Sequence, residues 1–208
     1  MHVRPERCVS RLYPSSAQGR GGFMGFFNWA APVFHRVADR WSIDDVDRIA
    51  GWLRPFVEPD GRLLDLGGGT GQALDADVVI GDPTPEMIRY VPTSERVSAV
   101  LTRAEAMSFA ADEFDAVIVS DAFHHFRDQP GAAAEMVRVV RTGGGITVLE
   151  LDPTGLGMRL LVLAEKLLGE PGSFFTPEAM CEFWRNEGVE GTCERVSGPA
   201  YRFTGTVQ

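Results

Sequence analysis

Five short, mainly apolar runs recur along the chain, each bounded by glycine, proline or acidic residues: 62–66, 78–82, 97–101, 114–120 and 146–151. Runs of this length and greasiness read as strands buried on both faces of a parallel sheet. Helical spacing appears between and around them. Val46, Ile49, Ala50 and Leu53 mark the inner face of a helix that Ser42-Ile43-Asp44-Asp45 opens with a side-chain cap and early acids. Ala133, Met136, Val137 and Val140 mark another over Pro130 to Arg141, with Thr142-Gly143-Gly144-Gly145 as its glycine stop before the fifth strand. Leu156 to Leu168 is helical with a wide apolar arc, which predicts burial under a lid; a wall for a lipophilic small molecule or a transient membrane contact is the alternative. Thr176-Pro177-Glu178 caps a last helix to about Asn186, and Cys193 to Val196 with Tyr201 to Thr206 should close the sheet as an antiparallel pair.

The first connection is short. Only Gly67 to Asp77 separates the first two strands, whereas a right-handed crossover between parallel strands normally takes a dozen or more residues with its helix. The helix after strand one is therefore expected to be a stub over Gln72 to Asp77, with less cover on one face of the sheet.

Upstream, Phe23, Phe26, Phe27, Trp29, Phe34 and Trp41 crowd aromatics around Pro32. They predict a segment that folds over the body and buries its rings, or a lid whose rings line an apolar pocket. Residues 1–22 carry Arg4, Arg7, Arg11 and Arg20 without apolar periodicity. They read as a flexible tail, or as a start placed upstream of Met24. The expected organisation is a tail (1–22), a helical cover (23–57) and an α/β domain (58–208) with a helical lid insertion around 153–175.

Composition narrows the function classes. At 208 residues, 44% hydrophobic and 24% charged, the chain suits one globular domain with a substantial core. A net charge of −9 argues against nucleic-acid partners, and no apolar run is long enough to span a membrane. Cys8, Cys181 and Cys193 are odd in number and lack C-x-x-C spacing, which reads as reduced thiols in a cytoplasmic protein, without a disulfide frame or zinc site.

Candidate chemistry concentrates at the predicted strand ends. Arg62-Leu63-Leu64-Asp65-Leu66-Gly67-Gly68-Gly69-Thr70-Gly71 is a buried strand breaking into a turn where a ligand can meet bare backbone. Asp65 can accept from a ligand ammonium, and the turn amides at Gly67, Gly69 and Gly71 can meet a carboxylate or phosphate. A dinucleotide fingerprint beginning at Gly67 would need glycine at position 72, where Gln72 stands. Asp82-Pro83 at the second strand end puts an acid where both hydroxyls of a ribose can be bound, followed by proline near a helix start.

The acidic-x-G-x-G-x-G pattern of Asp65 to Gly71 resembles the first motif of the class I S-adenosylmethionine (SAM)-dependent methyltransferases. Asp82-Pro83-Thr84-Pro85-Glu86-Met87-Ile88 resembles that family's D-x-S-x-x-M-L. Ser120 through His124-His125-Phe126 resembles its motif after strand four, and Arg138-Val139-Val140-Arg141-Thr142-Gly143-Gly144 its R-V-L-R-P-G-G. The likeness is nearest to the ubiquinone/menaquinone-type C-methyltransferases, the methyltransferase type 11 group. It implies a Rossmann-like, doubly wound, mostly parallel seven-stranded α/β sheet and SAM as cofactor. It also implies that Ala104 supplies an amide to the adenine ring. Arg103 stands where the family has an acid for the adenine amino group, so Glu105 becomes the substitute. The quinone enzymes carry Tyr-Asp after their N-terminal proline where this chain has Phe34-His35, so a quinone precursor is one acceptor among several.

Methyl transfer from a sulfonium is an in-line displacement that rests mainly on positioning, and a base matters only when the acceptor has a proton to lose. Asp121, His124 and His125 are the candidates for that role, or for shaping the pocket. These three with Glu150 do not read as a metal site, because neighbouring residues rarely point to one centre. Three functions remain open on sequence: a small-molecule methyltransferase, acting as monomer or homodimer on a partly apolar metabolite; a SAM-binding regulatory or scaffold protein without turnover; and a nucleotide-dependent oxidoreductase, against which Gln72 argues.

Overall fold

The computed structural model describes residues 46–67, 75–83, 85–91, 93–167 and 172–208. The expectations for the tail, the aromatic segment 23–41, the Ser42 cap, Gly69, Gly71, Thr84 and residues 72–74 of the helix stub expected over Gln72 to Asp77 lie outside them; the rest of that stub is not helical, since Asp75 and Ala76 form a bend and Asp77 already opens the second strand.

Seven strands form one sheet in the order β3-β2-β1-β4-β5-β7-β6. The strands are β1 (Arg62–Leu66), β2 (Asp77–Asp82), β3 (Val97–Leu101), β4 (Phe114–Ser120), β5 (Val140–Leu151), β6 (Val189–Ser197) and β7 (Ala200–Val207). Pairings from β3 through β5 are parallel, and β7 is antiparallel to both β5 and β6. This is the α/β architecture that the alternating strands and helices predict.

Period-2 alternation sorts the strand residues onto two faces. On one face, Leu63, Val78, Ile80, Ala116 and Ile118 pack with Ile49 and Leu53 of α1 (Val46–Leu53). The other face is larger. There Leu64, Leu66, Val117, Val119, Ile146 and Val148 meet Ala132, Ala133 and Met136 of α3 (Gln129–Val139) and Met180 and Trp184 of α5 (Pro177–Asn186). Helix α2 (Pro85–Tyr90) links β2 to β3, and α4 (Leu156–Leu167) links β5 to α5.

Three features differ from expectation. Helix α3 begins at Gln129, where the Asp128 carboxylate accepts from the Gly131 amide at 3.0 Å, and ends at Val139 rather than Arg141. Val140 is already extended and pairs with Phe114. The glycine stop is thus a bulge inside β5, with pairing resuming at Ala116 and Gly145. Arg141 gains from the early exit: its Nε donates to Asp115 at 2.6 Å. Gly145 is required because a Cβ there would lie 2.3 Å from the Phe56 ring. Strand β6 starts at Val189, not Cys193; it is an edge strand whose exposed Glu190, Gly191 and Thr192 show no apolar alternation.

The third difference concerns α4. Leu156, Leu160 and Leu163, expected under a lid, are 79%, 62% and 53% exposed, and Met158 is the buried residue of its first turns. Among the described residues no helix is long and apolar enough to cross a membrane.

Candidate functional site at the strand tips

In parallel α/β sheets the crevice lies beyond the carboxyl ends of the strands. Register brings the sequence candidates to that edge. Leu66 pairs with Gly81 on one side and Val119 on the other, so Gly67, Asp82 and Ser120 follow at adjacent tips. The Gly67 amide donates to the Gly81 carbonyl at 2.9 Å, and the Asp82 carbonyl accepts from Thr102 at 3.1 Å. Gly67 has φ +79°, and a Cβ there would meet the Ala122 Cβ at 2.9 Å. Both facts demand glycine, and they leave bare backbone where β1 ends.

Asp65 is fully buried one residue short of the tip, flanked in register by Ile80 and Ile118. A carboxylate in such apolar company is kept by hydrogen-bond donors, since an unmet buried charge costs several kcal/mol, of order 3–5. Asp82 is half-buried and Pro83 exposed. Beyond β3, Arg103 pairs with Ala106 in an isolated antiparallel bridge that folds Ala104 inward, while Glu105 stays half-buried. The Glu105 Oε1 accepts from the Arg127 amide at 3.0 Å. It therefore ties the segment after β3 to the segment after β4, a contact that the reading of Glu105 as an adenine ligand did not foresee.

The same connection is fixed from below. The Glu135 carboxylate accepts from the Met107 amide at 2.8 Å and from Arg138 at 2.6 and 2.8 Å, while Arg138 also donates to the carbonyls of Phe109 and Met107. Hydrogen bonding from Arg138, then from Met107, holds the Glu135 carboxyl below its ordinary range despite partial burial.

The segment after β4 separates the three residues that sequence offered as catalytic. Asp121 is exposed with φ +50°, and its amide donates to Leu149 at 2.9 Å. Phe123–His125 forms a 3₁₀ turn. His124 points inward and is 4% exposed, whereas His125 is exposed, with the two rings 3.9 Å apart.

His124 is locked. Its Nδ1 lies 2.9 Å from both carboxylate oxygens of the buried Glu150 on β5, and its backbone amide donates to Glu150 Oε1 at 3.0 Å. A carboxylate only accepts, so Nδ1 carries the proton. The His124 ring stacks on Phe174 at 4.1 Å and 16°. The His124 carbonyl accepts from Ser173 at 3.0 Å, and Gln129 Nε2 donates to the carbonyls of Phe123 and Ser173 at 3.0 and 2.9 Å. The chain returning from α4 is thereby stitched to the platform beneath His125. Gln129 and Phe174 escaped the sequence reading as members of this site, and Glu150 entered it only within a group judged not to hold a metal; its pairing with His124 is visible only in the fold.

Asp121, His124 and Glu150 do converge, with one potential ligand atom from each within 4.8 Å of the others. The adjacency argument against a metal thus missed that Glu150 arrives from a neighbouring strand. Within this group His124 and Glu150 are paired at 2.9 Å.

Residues 64–148, from β1 through most of β5, match the family described as a methyltransferase domain, type 11. Over that stretch the chain is similar to the methyltransferase type 11 group. Among its relatives, the ubiquinone/menaquinone biosynthesis C-methyltransferase UbiE of Proteus mirabilis is 30% identical over 155 residues, covering 59% of this chain and 61% of that protein. The match therefore spans about three fifths of that relative's length. The demethylmenaquinone methyltransferase of Bacteroides fragilis is 26% identical over 85% of this chain and 84% of its own. Of solved structures, a SAM-dependent methyltransferase from Thermotoga maritima superposes with TM-score 0.67 at 18% identity, covering 89% of this chain and 99% of that one. One from Aquifex aeolicus gives 0.64 at 12%, covering 85% and 98%. At those identities the structural likeness establishes the class I methyltransferase fold.

Proposed function

We propose that the protein transfers the methyl group of SAM to a small, partly apolar metabolite. The observation that carries the reading is the row of tips in register: bare backbone at Gly67, an acid at Asp82, the inward Ala104 and Ser120 along one sheet edge. A ligand with an amino-acid end, a ribose and a base matches that order of groups. In this reading Asp65 and the turn at Gly67, Gly69 and Gly71 hold the amino-acid end, Asp82 with Pro83 the ribose, and Ala104 with Glu105 the base. Ser120 borders the same ligand. The sulfonium supplies an activated methyl group, so the chain's task is to hold donor and acceptor in line and exclude water.

His125, exposed above a rigid platform, is the better candidate for touching an acceptor; His124, tied to Glu150, supports it. Asp121 flanks the same opening. A quinone precursor is one acceptor of the proposed class, in keeping with the names of the relatives.

Calorimetry with S-adenosylhomocysteine and with NAD tests the ligand. Binding of the first alone is expected. Asp82→Ala should then weaken S-adenosylhomocysteine at least about tenfold, because even one lost charge-assisted hydrogen bond is worth about 1.5–3 kcal/mol. Unchanged affinity would remove the ribose assignment. Formation of S-adenosylhomocysteine from SAM in the presence of a metabolite extract tests turnover, and binding without turnover would overturn the enzymatic reading.

A further inference from the structure

Two of the three cysteines meet. Cys181 lies on α5 and Cys193 on β6, and the Cys181 thiol donates to the Cys193 sulfur across 2.8 Å. The approach is built into the packing. Three residues beyond Cys181, on the same side of the helix, Trp184 is fully buried. Its ring stacks on Phe203 of β7 at 5.5 Å and 11°. Phe203 is the register partner of Cys193. One helix-on-sheet contact therefore aims both sulfurs at a common point. Both thiols are free and half-buried, within reach of a small oxidant.

We propose that Cys181 and Cys193 are a peroxide-sensitive dithiol that closes to an intrachain disulfide and pins edge strand β6 to α5. A disulfide needs the sulfurs at about 2.04 Å, so closure asks them to approach by roughly 0.8 Å. One thiolate attacks a peroxide oxygen and becomes a sulfenic acid as the other oxygen leaves as water. The second thiol then displaces the sulfenic hydroxyl as a second water and forms the S–S bond. Two thiols lose two hydrogens, and one peroxide is reduced to two waters. Burial, then the neighbouring Cys181, pushes the Cys193 thiol far up. The bridge lies on the far edge of the sheet from β1 and β2, so it acts on the stability of that edge, independently of any ligand at the strand tips.

The test uses the full reduced chain, treated with a small excess of hydrogen peroxide, alkylated with N-ethylmaleimide in denaturant and digested with trypsin without reductant. Arg185 lies between the two cysteines, so cleavage leaves two peptides joined only by the bridge. The expected result is that joined species, lighter by two hydrogens than its parts and separated by dithiothreitol, with Cys8 alkylated. Oxidised protein should also melt about 5 °C or more above reduced protein, a gain absent in Cys181→Ser and in Cys193→Ser. Alkylation of both Cys181 and Cys193 after peroxide, or a bridge from either one to Cys8, overturns the proposal. The peptide result in the unsubstituted protein decides the matter even where a serine variant fails to fold.

Discussion

Replacing Glu150 by alanine probes the joint between sheet and site. In the folded protein the Glu150 carboxylate serves two buried donors of one residue, the His124 amide at 3.0 Å and the His124 Nδ1–H at 2.9 Å. His124 is 4% and Glu150 1% exposed, so water does not readily replace the lost acceptor. A buried donor left unmet costs about 1–3 kcal/mol, and two give about 2–6. Breaking a buried ionic pair by removing one partner gives a similar figure, about 3–5 kcal/mol. The expected loss for Glu150→Ala is thus about 3–5 kcal/mol, a large share of the roughly 5–15 kcal/mol that holds a domain folded. With a urea slope of about 2–3 kcal/mol per molar, the unfolding midpoint should fall by about 1–2 M, followed by far-UV circular dichroism. Glu150→Gln keeps one acceptor oxygen and should lose less than half as much. A midpoint within about 0.3 M of the parent for Glu150→Ala, with an unchanged slope, would refute the reasoning: His124 would then not depend on Glu150, and the platform described above would have some other support.

Gly67→Ala places a side chain at φ +79° and 2.9 Å from the Ala122 Cβ; the two penalties together are about 2–4 kcal/mol, seen calorimetrically as a melting temperature lower by about 5–15 °C. Gly51→Ala in α1 meets nothing within 4 Å and should instead gain about 0.5–1 kcal/mol, so an equal loss in both variants would dismiss the geometric argument. Because Glu135 has its folded pKa lowered, chiefly by Arg138, its contribution is whole above the ordinary carboxylate value of 4.5 and disappears as pH falls through the lower folded value. The stability gap between parent and Glu135→Gln should accordingly narrow in thermal melts taken from about pH 6 down to about pH 3, and a gap that widens would be the wrong sign.

Much of the sheet could be read from the chain because parallel central strands are continuous apolar runs: β1, β2, β3 and β4 emerge close to the expected bounds. Gly67 and Asp82 were legible for a related reason, since each marks the point where an apolar run stops. What sequence hid depends on partners far along the chain. Glu150 looks like one more position of a strand until β5 brings it against His124, 26 residues away. The start of β5 was masked by three glycines that signal a helix stop, although Val140 and Phe114 already pair. Strand β6 lacks apolar alternation because it lies on the edge. The equal standing of His124 and His125 in sequence dissolves in a 3₁₀ turn that buries one and exposes the other.

The short first connection has a physical resolution. Parallel pairing of β1 with β2 requires the chain to travel back only the length of β1, five residues or about 17 Å, and to step across one strand spacing. Ten residues, 67–76, reach about 33 Å when extended, so the return is sterically possible without the full crossover helix. The far end of the connection is anchored. Arg96, just before β3, donates to Asp77 at 3.1 Å and to Asp75 at 2.5 Å, and pairs with Asp60 at 2.9 Å. The Asp77 amide donates to Gly61 at 2.8 Å, which sets the Arg62–Asp77 register from which the rest of the β1–β2 pairing follows. That register carries Leu66 to Gly81 and leaves Gly67 and Asp82 side by side at the opposite end. The alignment of the strand tips, on which ligand recognition would rest, is therefore held by Arg96 and the backbone ladder and does not depend on the missing length.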